Sequence, residues 1–197
     1  MPLGAHKAAM MGTAGVSTED VVLLSSETAD ASATISFTSG ITSTYGEYIF
    51  KFYNMHPGTN SASLSFQVNA SGESGYNEYI TSSFFRAYHA ESDGGTPVVA
   101  YESGSDQAQG TAFQNITNSM PDDSDSSCSG ELHIFNPSST TYVTHFYSLL
   151  SFFDTAPHCM QAYVGGYVNT TGAITNVQFK MDSGNIDAGT IKMWGVK

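Results

Sequence analysis

The chain has 197 residues, 40% of them hydrophobic and 12% charged, with a formal net charge of −12. Six Lys and Arg against 18 Asp and Glu cannot build a phosphate-neutralising stripe, which excludes direct nucleic-acid binding and docking on anionic lipid. No apolar run approaches the ~18 residues of a helical membrane span, and the length suits a single all-β domain.

The first stretch, "MPLGAHKAAMMGTAG", holds no acid and carries His6 and Lys7. Its weak Ala/Met centre falls short of the apolar region of a secretory signal, so no such leader is expected. Residues 1–18 are expected to form an N-terminal docking arm, and 19–197 a β-sandwich domain. "AHKAAMM" is rich in helix formers but too short for a stable helix in water, so it requires a partner surface.

From residue 19 onward, short runs of period two alternate with polar turns. "DVVLLSS" is the first predicted strand, and "SATISFTSG" alternates Ala33, Ile35 and Phe37 with Thr34, Ser36 and Thr38. "YGEYIFKFYNM" places Tyr48, Phe50 and Phe52 on one face. "ASLSFQVNAS" sets Leu64, Phe66 and Val68 on a dry face, with Ser63, Ser65 and Gln67 on a wet one. Further strands are predicted in "EYITSSFFRAYH", "PVVAYES", "GELHIFNP", "TYVTHFYSLLSFF", "MQAYVGGYVN", "AITNVQFKM" and "GTIKMWGV". The loops between them are rich in Gly, Pro, Asn, Asp and Ser.

Two segments carry specific expectations. In "THFYSLLSFFD", Phe146, Leu149, Leu150 and Phe153 also fit a helical stripe, but the preceding Tyr142, Val143 and Thr144 favour a strand, buried on both faces. In the final run Asp187 to Gly189 is read as a turn. Thr190, Lys192 and Trp194 then point one way, and Ile191, Met193 and Gly195 the other. Nine to eleven short strands without a helix in the body define an antiparallel sandwich or barrel. The 12 Phe, 11 Tyr and one Trp suit such pleated surfaces.

Motifs for catalysis are scarce. An EF-hand begun at Asp123 would need Gly at Cys128 and Glu at Ile134, so Asp122, Asp123 and Asp125 leave only a calcium site of another type. The six histidines form no HExxH or HxH, although His133 and His145 lie on predicted strands that could bring them face to face. No GxSxG, Walker loop or GxGxxG occurs. Cys128 and Cys159 fit neither a disulfide framework nor a zinc site, leaving two free thiols or a single bridge. No metal, cofactor or catalytic residue is expected. Exposed Tyr, Ser, Gly and Asn on loops suit adaptable binding, including glycan contact.

Two stretches carry a resemblance. "GELHIFNPSSTTYVTHFY", strongest over Gly130–Tyr142, and "SGNIDAGTIKMWGVK", strongest over Ser183–Val196, resemble jelly-roll modules of tailed-bacteriophage virion proteins. Trp194 stands where those modules more often have Tyr. The resemblance implies an all-β, jelly-roll-like antiparallel β-sandwich behind a short arm, assembled as a homotrimer on the virion. It implies a non-enzymatic structural role, foremost a capsid-exterior decoration or cement protein bound to the major capsid protein or another virion protein. A small tail- or fibre-associated adhesin that binds host-surface glycan comes second, and a carbohydrate-active enzyme or carbohydrate-binding module third. The negative charge favours the outside of a DNA-filled head. Within the arm, Lys7 is expected to meet an acidic neighbour, while Met10 and Met11 fill an apolar groove.

Overall fold

The structure is a computed structural model that describes residues 20–92 and 94–197. The arm, with Lys7, Met10 and Met11, lies outside the described residues. Twelve strands and no helix occur among those described. In chain order they are β1 (Val21–Ser32), β2 (Ile35–Phe37), β3 (Glu47–Pro57), β4 (Leu64–Ala70), β5 (Ile80–Ala90) and β6 (Val98–Tyr101). Then follow β7 (Gln114–Asn115), β8 (Cys128–Phe135), β9 (Thr144–Phe153), β10 (His158–Val168), β11 (Ile174–Met181) and β12 (Ile186–Val196).

All pairings are antiparallel and build two sheets, ordered β1-β12-β3-β8-β9-β10-β5-β6 and β2-β11-β4-β7. Eight of these strands trace a jelly roll: β1, β12, β3 and β8 in one sheet face β2, β11, β4 and β7 in the other. Two excursions complete the larger sheet. β5-β6 leaves between β4 and β7, β9-β10 leaves between β8 and β11, and both extend the sheet beyond β8.

Period-two patterning explains the packing. Tyr48, Phe50 and Phe52 of β3 are buried and meet the smaller sheet through Phe179 of β11, whose ring centroid lies 5.3 Å from those of Phe50 and Phe52. Phe66 of β4 packs edge-on against Phe146 of β9 at 5.0 Å, and Gln114 of β7 accepts a 2.6 Å hydrogen bond from Ser82 of β5. The smaller sheet thus spans the larger one from β3 to β5.

The final strand is central, lying between β1 and β3 with Ile191 and Met193 buried as expected. The two stretches that carry the resemblance flank β3 and share Gly46: its amide donates to Val196 O (2.9 Å), and its carbonyl accepts from Asn136 N (2.6 Å).

Three expectations are corrected. Ser65 and Gln67 are fully buried, because the loop entering β7 covers the outer side of β4 and the Gln67 amide donates to the carbonyls of Glu78, Thr111 and Ala112. β9 is a strand, but only one side of it is buried within the chain, since Tyr147 and Leu149 lie on the open face of the larger sheet. Asp187 to Gly189 is no turn; these residues form bulges inside β12, where the register against β3 shifts twice between Ile186 and Thr190. β7, a two-residue strand, has no periodicity to announce it.

Candidate functional site

Two surfaces stand out. The first is the outer face of the larger sheet. Register places Leu23, Trp194, Ile49, His133 and Tyr147 in one row across β1, β12, β3, β8 and β9. A parallel row runs Lys192, Lys51, Glu131, Leu149, Tyr163, Phe85 and Tyr101, from β12 to β6. A third holds Val21, Val196, Glu47 and Phe135. Among the described residues, nine of the eleven exposed large hydrophobics belong to this face: Val21, Leu23, Tyr53, Phe85, Val99, Tyr101, Phe135, Tyr147 and Leu149. Phe85 stacks on Tyr163 with nearly parallel rings 4.9 Å apart.

A polar knot sits in the middle. His133, 7% exposed, stacks on Tyr147 at 4.4 Å. Its Nδ1 contacts the Glu47 carboxylate, and its Nε2 lies 3.1 Å from Glu131 Oε1, close enough for an ion pair but not aligned as a hydrogen bond. Lys51 Nζ is 3.4 Å from the same Glu131. Burial pushes the Glu131 carboxyl up, but the His133 ring 3.1 Å away and the Lys51 ammonium outweigh it and leave the group below the usual carboxylate range. Burial, Glu131 and Glu47 raise the Tyr147 phenol. The charged side chains of the three rows, Lys51, Lys192, Glu47 and Glu131, sum to zero in a chain of net charge −12. Beside the knot, Val21, Ile49, Lys51, Tyr53 and Trp194 line a small groove of about 260 Å³, with the Trp194 indole N–H buried and unpaired.

The second surface is a polar cleft of about 620 Å³, lined by Asn54, His56, Ser124–Ser127, Asp187 and Ala188. It forms where β3 and β12 both lose register. Asn54 adopts a left-handed φ of +50°, and β3 slips against β8 between Phe52 and Met55. Gly189, at φ +122°, lets β12 lie against this bulge; a Cβ there would come within 2.7 Å of Met55 Cα and 2.8 Å of Asn54 O. Bulges of this kind re-aim side chains at sheet ends. His56 Nδ1 lies 2.6 Å from the Ser126 carbonyl, which fixes that nitrogen as the donor; in the neutral ring Nε2 is then the acceptor.

Of the acidic triplet read from the sequence, only Asp125 lines the cleft, and it is joined there by Asp187, 62 positions later. No three His, Cys, Asp or Glu side chains converge as a metal site among the described residues. His133 and His145 do not face each other: His133 pairs with Tyr147 and His145 with Tyr167. Cys128 is buried, Cys159 is exposed, and both thiols are free. Sequence reasoning missed the Glu47–His133–Glu131 knot and the cleft, since both depend on register between distant strands. The only local signal was the alternation of Glu131, His133 and Phe135 along one face of β8.

The fold and these surfaces define an all-β jelly-roll protein with one broad open sheet face and one polar cleft. Comparison with protein families, curated proteins and solved structures gives no match.

Proposed function

We propose that this chain is a non-enzymatic structural protein of a tailed-phage virion, carried on the capsid exterior as a decoration or cement protein that stabilises the head. The observation that carries the reading is the open face of the larger sheet, apolar, aromatic and charge-balanced in a strongly acidic chain. Contiguous exposed apolar surface of this kind marks a protein-docking surface. Eight strands at ~4.8 Å per step span about 34 Å, and four outward residues per strand span about 20 Å, giving roughly 700 Å². That is close to the ~800 Å² each partner contributes to a standard interface. Copies of a protein this acidic repel one another except where the charge cancels, so this face is the contact between subunits of a homotrimer. The arm, through Lys7, Met10 and Met11, reaches the major capsid protein or another virion protein. The two stretches that resemble phage jelly-roll modules support the same reading, since both lie beside β3 in this sheet.

The test is copy number and head stability. Gel densitometry of purified particles is expected to show many copies per head, and particles stripped of the protein should release DNA at a lower temperature. Few copies, together with binding of the protein to host cells, would replace this reading with the second one, a tail- or fibre-associated adhesin. The polar cleft favours that second reading, because it offers a concave, hydrogen-bonding surface that a purely architectural subunit does not need.

A further inference from the structure

From the chemistry of its walls, we infer that the cleft between the β3 and β12 bulges is a binding site for a neutral, hydroxyl-rich saccharide. Its polar groups are dominated by acceptors: the Asp125 and Asp187 carboxylates, the free Nε2 of His56 and the hydroxyl oxygens of Ser124, Ser126 and Ser127. Asn54 adds an amide that both donates and accepts. Among the described residues no Lys or Arg lines the cleft, so an anionic ligand would meet two carboxylates without compensation from them. A bare cation fits poorly, since His56, Asp125 and Asp187 do not converge on one point and the volume far exceeds that of an ion. Many acceptors spread over a concave wall match a ligand that carries many O–H donors.

A second observation points the same way. Ser126 is 2% exposed and forms part of the cleft wall, yet its Oγ is buried with no hydrogen-bond partner. Such an orphan at the cleft wall costs stability in the free protein, a cost that a bound hydroxyl would relieve once the Ser126 side chain rotates to meet it. The left-handed Asn54 and the paired bulges hold the walls apart through backbone conformation, so the site is preformed. The inference rests on this geometry and holds whether the protein sits on a head or a tail.

Saturation-transfer NMR with glucose, galactose, mannose, rhamnose, N-acetylglucosamine and disaccharides of these sugars tests it. N-acetylneuraminic acid serves as the anionic control, and calcium chloride is titrated by calorimetry. Transfer to at least one neutral sugar is expected, none to the acid, with amide shifts confined to Asn54, His56, Ser124–Ser127, Asp187 and Ala188. The double variant Asp125→Ala/Asp187→Ala, both at exposed positions, should lose affinity at least tenfold with an unchanged melting temperature. Absence of transfer across the panel, undiminished transfer in the double variant, shifts centred on the Trp194 groove, or binding of calcium alone would each overturn the inference. Should the double variant fail to fold, shift mapping on the unaltered protein decides the question.

Discussion

At Glu131, burial favours the protonated carboxyl, while His133 and Lys51 favour the ionised one and prevail. A carboxyl depressed in the folded state stabilises that state above its unfolded pKa of about 4.3, and the contribution fades as pH falls through the lower folded value. Glu131→Gln should therefore flatten the fall in unfolding free energy between about pH 5 and pH 3, by under about 1 kcal/mol because the side chain is one-third solvent-exposed. Calorimetry of both proteins across that range checks the sign; a steeper fall in the variant would contradict it. The two thiols give a second prediction. Burial drives the Cys128 thiol far above its ordinary range, whereas Cys159 is exposed. Iodoacetamide at mildly alkaline pH should modify Cys159 in the native protein and reach Cys128 only after unfolding, as read by peptide mass spectrometry.

At the scale of elements, β3, β11 and β12 bear most of the weight. Phe179 sits among Phe37, Phe50 and Phe52 with centroids 5.3–6.1 Å away, so Phe179→Ala should cost about 3–5 kcal/mol in urea unfolding. Gly189→Ala should cost about 1–3 kcal/mol, since its Cβ would press on the β3 backbone where little can give. Period two revealed most strands and the inward set Tyr48, Phe50 and Phe52, because half-buried pleats impose that alternation. It misplaced Ser65 and Gln67 because a covering loop has no periodicity that announces what it will bury. It also took Asp187 to Gly189 for a turn, because a bulge and a turn draw on the same residues. The candidate sites were less legible still. Asp125 and Asp187 become neighbours in one cleft only through two register shifts, and no spacing rule encodes a shift.

On the scale of the whole molecule, charge and apolar surface are segregated. The three rows of the open face carry no net charge while the chain carries −12, so self-association should strengthen with added salt as the remaining charges are screened. Tyr147→Lys with Leu149→Lys should weaken it at least about thirtyfold, the ~2 kcal/mol of a single interface hot spot, without loss of folding. Sedimentation velocity at low and moderate salt measures both effects; a monomer in all conditions would remove this face from the assembly.

The position of β12 also has a consequence for biosynthesis. Val21 is made among the first described residues, and its partner Val196 emerges only after the intervening 174 have left the ribosome. Until then β1 and β3 border a gap one strand wide, each with an unpaired edge open to neighbouring chains. Closure must await β12, so nascent chains remain vulnerable to aggregation until it emerges, and chaperone demand should be set by translation speed more than by final stability.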